Sequence, residues 1–161
     1  MPAQTRISEV LKQLDELGLS ALNSDQLMRG IVRILQSRML KYNWVGFYML
    51  DSSSPVLVLG PFEGAMTPHT RIPLNQGICG AAASTGKTVV VDDVSKDPRY
   101  LACSLETKSE IVVPLFASGR VVGELDIDSH FPAAFGQDDR DLVEHCAALV
   151  GKRLEAEMKK K

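Results

Sequence analysis

The hydrophobic period of the chain changes from helical to strand-like near residue 41 and returns to helical near residue 137, so helices and strands occupy separate stretches. That order predicts an α+β domain with a largely antiparallel sheet. Before the first switch, Ile7, Val10, Leu11, Leu14 and Leu17 recur at helical spacing up to Gly18. A second helix starts at Asn23 or Ser24, with Leu27, Ile31, Ile34 and Leu35 on one face. After the last switch, a closing helix over 137–158 opens with Asp138, Asp139 and Asp141 and runs into Lys159 to Lys161, the sense that suits the helix dipole. Between them, Tyr42 to Leu50 and Val56 to Leu59 read as a hairpin about the turn cluster Asp51 to Pro55. Gly60 to Pro73 reads as a long irregular loop, of a length that is often functional. A short helix over Gln76 to Ala83, a strand over Thr88 to Val91 and an irregular stretch from Asp92 to Ser104 follow. Glu110 to Phe116 and Arg120 to Asp128 form the second hairpin, about Ala117-Ser118-Gly119.

At 161 residues the chain is one ordinary domain, able to bury roughly 70% of its unfolded surface without disulfides or a structural metal. The formal charge of -2 argues against nucleic acid as a partner. No apolar run reaches the roughly 18 residues of a membrane span, and the start MPAQTRISEV lacks the apolar stretch of a signal peptide, so a cytoplasmic protein is expected. Its three cysteines, Cys79, Cys103 and Cys146, are widely spaced and odd in number. They are expected to act as thiols and not as a disulfide framework.

Alternation along Arg120 to Asp128 puts Val121, Leu125 and Ile127 on one face and Glu124, Asp126 and Asp128 on the other. Three carboxylates in line suit either a solvated outer face or the floor of a pocket that receives an ammonium group or a polarised oxygen. A metal is not expected, because no histidine accompanies them at ligand-like spacing. Cys146 lies in phase with Leu142, Leu149 and Val150 and reads as a core residue. Cys103 sits in an irregular stretch near Lys108, where a thiolate nucleophile or an inert thiol both fit. Cys79 opens a short helix after Gly77, where the helix dipole is expected to lower its pKa unless it packs beneath the loop. His69, alone in the long loop, is expected to be exposed. Tyr42, Trp44, Gly46 and Tyr48 alternate onto one strand face, and Gly46 leaves room for an approaching group. They read either as plain core or as a wall around a methylated, polar small molecule.

These elements resemble a GAF domain. The segments Tyr42-Asn43-Trp44-Val45-Gly46-Phe47-Tyr48, Leu59-Gly60-Pro61-Phe62, Thr70-Arg71-Ile72-Pro73, Gly77-Ile78-Cys79-Gly80, Ser109-Glu110-Ile111-Val112-Val113-Pro114-Leu115 and Gly123-Glu124-Leu125-Asp126-Ile127-Asp128-Ser129 are similar to those of the free methionine-(R)-sulfoxide reductases. The resemblance implies a single GAF domain over 1–161, with N-terminal helices in 5–38, sheet and pocket loops in 41–129 and a closing helix over 137–158, the helices packed on one sheet face. It further implies thiol-dependent reduction of free L-methionine (R)-S-oxide, with Cys103 as nucleophile and Cys79 as a second redox thiol. Glu110, Asp126 and Asp128 match the carboxylates that hold the substrate's amino group and sulfoxide, and Trp44 and Tyr48 match the aromatic wall around its methyl group. Glu110 or Asp126, kept protonated by its neighbour, would act as the acid. His69 stands where the family has its usual resolving thiol, which leaves Cys79 or an external thiol to reduce the Cys103 sulfenic acid. No cofactor beyond an external reductant, thioredoxin foremost, is expected, and a homodimer through the helices is. The alternative is a GAF module that binds a small ligand without catalysis, and the departure at His69 favours it.

Overall fold

The computed structural model describes residues 3–101 and 105–160. Four helices, α1 (Ala3–Ser20), α2 (Ser24–Arg38), α3 (Gly77–Thr85) and α4 (Gln137–Lys159), accompany six strands. The strands are β1 (Trp44–Leu50), β2 (Val56–Glu63), β3 (Arg71–Pro73), β4 (Val89–Val91), β5 (Ser109–Ala117) and β6 (Arg120–Ser129). They form one sheet in the order β3-β2-β1-β6-β5-β4, every neighbouring pair antiparallel. Among the described residues no helix is long and apolar enough to cross a membrane.

Local chemistry accounts for the element ends. The Asn23 side chain caps α2 by accepting from the Gln26 N–H at 2.9 Å. Asp139 does double duty at the start of α4, where one oxygen accepts from the Gly136 N–H at 3.0 Å and the other accepts from the Tyr42 hydroxyl at 2.6 Å. The β5–β6 turn places both Ser118 and Gly119 at positive φ (54° and 75°), the two-residue turn whose twist suits a hairpin. Within α4, a side chain at Gly151 would collide with the Phe116 backbone carbonyl, so glycine lets this helix lie directly on β5.

Two apolar clusters lie on opposite sides of the sheet. Val45, Phe47, Ile111, Val113, Leu125 and Ile127 face α1, α2 and α4. Trp44, Tyr48, Leu57 and Val112 face α3 and the loops around it. Helices α1, α2 and α4 thus share one face, as expected, while α3 alone covers the other.

Three local expectations need correction. The first hairpin does not end at Leu59, because β2 continues to Glu63 through a register shift opposite Gly46 and Tyr48. The irregularity takes up Gly60 and Pro61, and proline is tolerated in a strand at such a bulge. The 60–73 stretch therefore contributes the end of β2 and all of β3. Tyr42 precedes β1 and packs with Phe135 on the helix-covered side, so it does not share a face with Trp44 and Tyr48. Val121 does not share a face with Leu125 and Ile127 either. A register shift pairs Leu115 with Gly123 but Phe116 with Val121, leaving Val122 as an extra residue, and alternation reverses there. Val121 consequently packs on the α3 side and Val122 on the other.

Candidate functional site

Strand alternation carries the polar residues of β5 and β6 to the α3 side. Glu110 stands directly opposite Asp128 in the β5–β6 pairing, and Asp126 faces Val112 one step along. On the other edge of β6, Trp44 is opposite Asp128 and Gly46 opposite Asp126. Glu110, Glu124, Asp126 and Asp128 are all buried, at 5%, 0%, 4% and 3% exposure. An outer solvated face is thereby excluded for these carboxylates.

The small side chains of Ala82 and Ala83 help α3 sit close over the sheet. Its N-terminal turn begins at Gly77, whose φ of +74° an L side chain rarely adopts. This places the Cys79 sulfur 3.4 Å from Asp126 Oδ2. The pocket beside it is lined by Trp44 and Tyr48 from β1, Thr67 and His69 from the β2–β3 connection, Cys79, Glu110, Asp126 and Asp128, with Leu101 arriving from the following loop. The space they enclose is about 30 Å³.

The aromatic wall is held at its polar tips. Trp44 Nε1 donates to the Ala65 carbonyl at 3.0 Å, and the Tyr48 hydroxyl donates to the His69 carbonyl at 2.8 Å. Both rings are therefore tied to the 64–70 segment, and they lie 6.2 Å apart. Gly46 does leave room, but for the Trp44 ring itself, which lies where a side chain would project. The expectation that Gly46 admits a ligand is corrected on that ground.

Electrostatically the site is a group of acids taken out of water. Burial pushes Glu110 well above the usual carboxylate range, and the charges of Asp126 and Asp128 push it further. Acids gathered in this way favour keeping a proton among them. Burial likewise raises Asp126, against hydrogen bonds from Glu110 and Cys79 that lower it, and raises Glu124. Cys79 moves opposite to expectation. Burial and the charges of Asp126, Glu124 and Glu110 raise its thiol well above the ordinary value, outweighing the helix dipole that the sequence brings to mind.

Of the sequence-derived candidates, Trp44, Tyr48, Cys79, Glu110, Asp126 and Asp128 converge on this pocket. Cys103 lies outside the described residues. Cys146 is fully buried in the helix-side core, as its phase implied. His69 is not the solvent-facing histidine expected, since it is half-buried and lines the pocket. Ile72, Ile78, Thr67 and Leu101 also line it and were not singled out from the sequence. No local sequence signal marks either Leu101 or Thr67.

The sequence matches the GAF domain family over residues 23–154. It is 36% identical over 121 residues to the free methionine-R-sulfoxide reductase of Escherichia coli, covering 75% of this chain and 72% of that protein. It is 43% identical over 112 residues to the enzyme of the same name from Saccharomyces cerevisiae, covering 68% of this chain and 62% of the yeast protein. The fold superposes with a TM-score of 0.89 and 39% identity on the free methionine-R-sulfoxide reductase of Neisseria meningitidis in complex with its substrate, over 96% of this chain and 92% of that one. The chain belongs to the free methionine-R-sulfoxide reductase family of GAF domains. Its pocket thus lies in a fold that carries this activity in those relatives.

Proposed function

We propose that this protein reduces free L-methionine (R)-S-oxide to L-methionine by a thiol-dependent route in the cytoplasm. The observation that carries this reading is the buried group of Glu110, Asp126 and Asp128 facing Trp44 and Tyr48 across one pocket, within a chain of this family. Asp126 and Asp128 receive the substrate's ammonium group, and the two rings flank its S-methyl end.

Leu101 borders the pocket two residues before Cys103, which supports Cys103 as the nucleophile. Its sulfur attacks the sulfoxide sulfur while Glu110 or Asp126 gives a proton to the departing oxygen. The oxygen then passes from the substrate sulfur to Cys103 as the transient bond between the two sulfurs breaks, so methionine leaves and Cys103 is a sulfenic acid. Cys79 then condenses with it to a disulfide and releases water, and a dithiol of the thioredoxin type restores both thiols. The raised pKa of Cys79 makes it a slow partner unless a carboxylate takes its proton, and Asp126 at 3.4 Å is placed to do so. No bound cofactor is required.

A homodimer belongs to the same proposal. The apolar faces of α1 and α4 pack inward, so its contact would use the apolar residues left outside, Leu19, Leu22 and Met158. A monomeric mass in light scattering at micromolar concentration would end that part. The activity is tested by methionine formation from the free (R)-sulfoxide with dithiothreitol and, separately, with a thioredoxin system. Turnover with both and inertness of the N-acetylated substrate are expected. Comparable rates on the blocked substrate would refute ammonium recognition. Binding of the sulfoxide without even single-turnover methionine release would make the protein a ligand-binding module.

A further inference from the structure

The spacing of the carboxylates in the sequence offers no metal site, yet the fold brings a thiol to them from a distant helix. The sulfur of Cys79 and one carboxylate oxygen each from Glu110 and Asp126 all lie within 4.8 Å of one another. Sulfur and oxygen donors at about 2.3 and 2.1 Å from a tetrahedral zinc ion stand roughly 3.6 Å apart. The Cys79 to Asp126 separation of 3.4 Å already has that value.

A second observation points to a missing cation. Asp126 is 4% exposed and its Oδ1 has no hydrogen-bond partner among the described residues. Buried carboxyl oxygens without partners cost free energy that a bound cation offsets. A thiolate ligand and a set of few, buried donors select a thiophilic ion of the zinc class over magnesium or calcium, which take six or more oxygens or keep their waters.

We propose that Cys79, Glu110 and Asp126 bind one zinc-class divalent cation, and that its occupation shuts the substrate out of the same pocket. The second clause rests on the proposed substrate site; the first does not. Reduced, chelator-stripped protein titrated calorimetrically with zinc chloride is expected to bind one equivalent, with affinity lowered about tenfold or more in Cys79→Ser. Unchanged zinc affinity in that variant, or no zinc binding by the wild type, would overturn the proposal. Because Cys79→Ser could disturb α3, the Cys103→Ser/Cys146→Ser double variant, in which Cys79 is the sole thiol, is titrated with cadmium. An ultraviolet cadmium–thiolate band is expected, and its absence overturns the site. Free methionine sulfoxide should weaken zinc binding in the wild type. Zinc held through Cys79 with no such competition would overturn the exclusion and the placement of substrate, while leaving the metal site in place.

Discussion

On the side of the sheet covered by α1, α2 and α4, strands β1, β5 and β6 present Val45, Phe47, Ile111, Val113, Leu125 and Ile127, all apolar and at most 4% exposed. On the side covered by α3, the same strands present Glu110, Glu124, Asp126 and Asp128, at most 5% exposed, beside Trp44 and Tyr48. Three helices pack the first side and one short helix closes the second. The difference teaches where the molecule's stability resides and where some of it is given up. Burial alone does not distinguish the two sides. What distinguishes them is whether the buried groups gain or lose free energy on leaving water.

Substitutions that act on one side only can break this comparison. The largest effect is expected at the proposed nucleophile, where Cys103→Ser should abolish single-turnover methionine release with an unchanged unfolding midpoint, whereas Cys146→Ser in the helix-side core should leave activity as it was. Methionine released by the Cys103 variant would remove the proposed chemistry from this pocket. Next in size, Phe47→Ala on the helix side should cost about 3–5 kcal/mol of stability in denaturant unfolding, as truncation of a fully buried ring does. A loss under 1 kcal/mol would show that this side is not the principal core. Asp128→Asn should preserve the fold but raise the KM for free methionine sulfoxide by about 10- to 100-fold, the value of one charged hydrogen bond of about 1.5–3 kcal/mol. An unaltered KM would take the ammonium contact away from Asp128.

The smallest expected effect sharpens the comparison through pH. Glu124 and Glu110 are raised in the folded protein, so above the ordinary glutamate pKa the unfolded chain releases protons that the folded chain keeps. Their protonated forms contribute fully at low pH, and stability falls as pH rises toward the folded values. Glu124→Gln, which imitates the protonated acid, should flatten that decline by up to about 1.4 kcal/mol per pH unit. An unchanged slope between pH 5 and pH 8 would mean that Glu124 is ionised in the fold.

What could be read from the sequence was whatever depends on near neighbours. The helices of residues 3–38 and 137–159, both hairpins, and the shared face of Asp126 and Asp128 follow from period and turn chemistry. Val121 was misassigned because a single inserted residue at Val122 reverses alternation, and no residue type announces it. Tyr42 looked like the first strand residue because aromatic residues favour strands, but its hydroxyl is committed to Asp139, 97 positions away. The pKa of Cys79 had the wrong sign for the same reason. Its own helix is visible locally, whereas the acids over it come from β5 and β6 and outweigh the dipole. Pocket membership of His69 depends on β2 and β3 pairing beside β1, which is a tertiary fact.

The strand order has a kinetic consequence. Hairpins β1–β2 and β5–β6 each close over a few residues, but their junction pairs Trp44 with Asp128 across roughly 80 residues. Chain entropy opposes that junction far more than either hairpin, so it belongs to the late part of folding. Trp44 and Asp128, neighbours in the pocket lining, meet only when it forms. The site is thus a product of long-range closure, and the chain holds its acids apart from its aromatics until the two hairpins join.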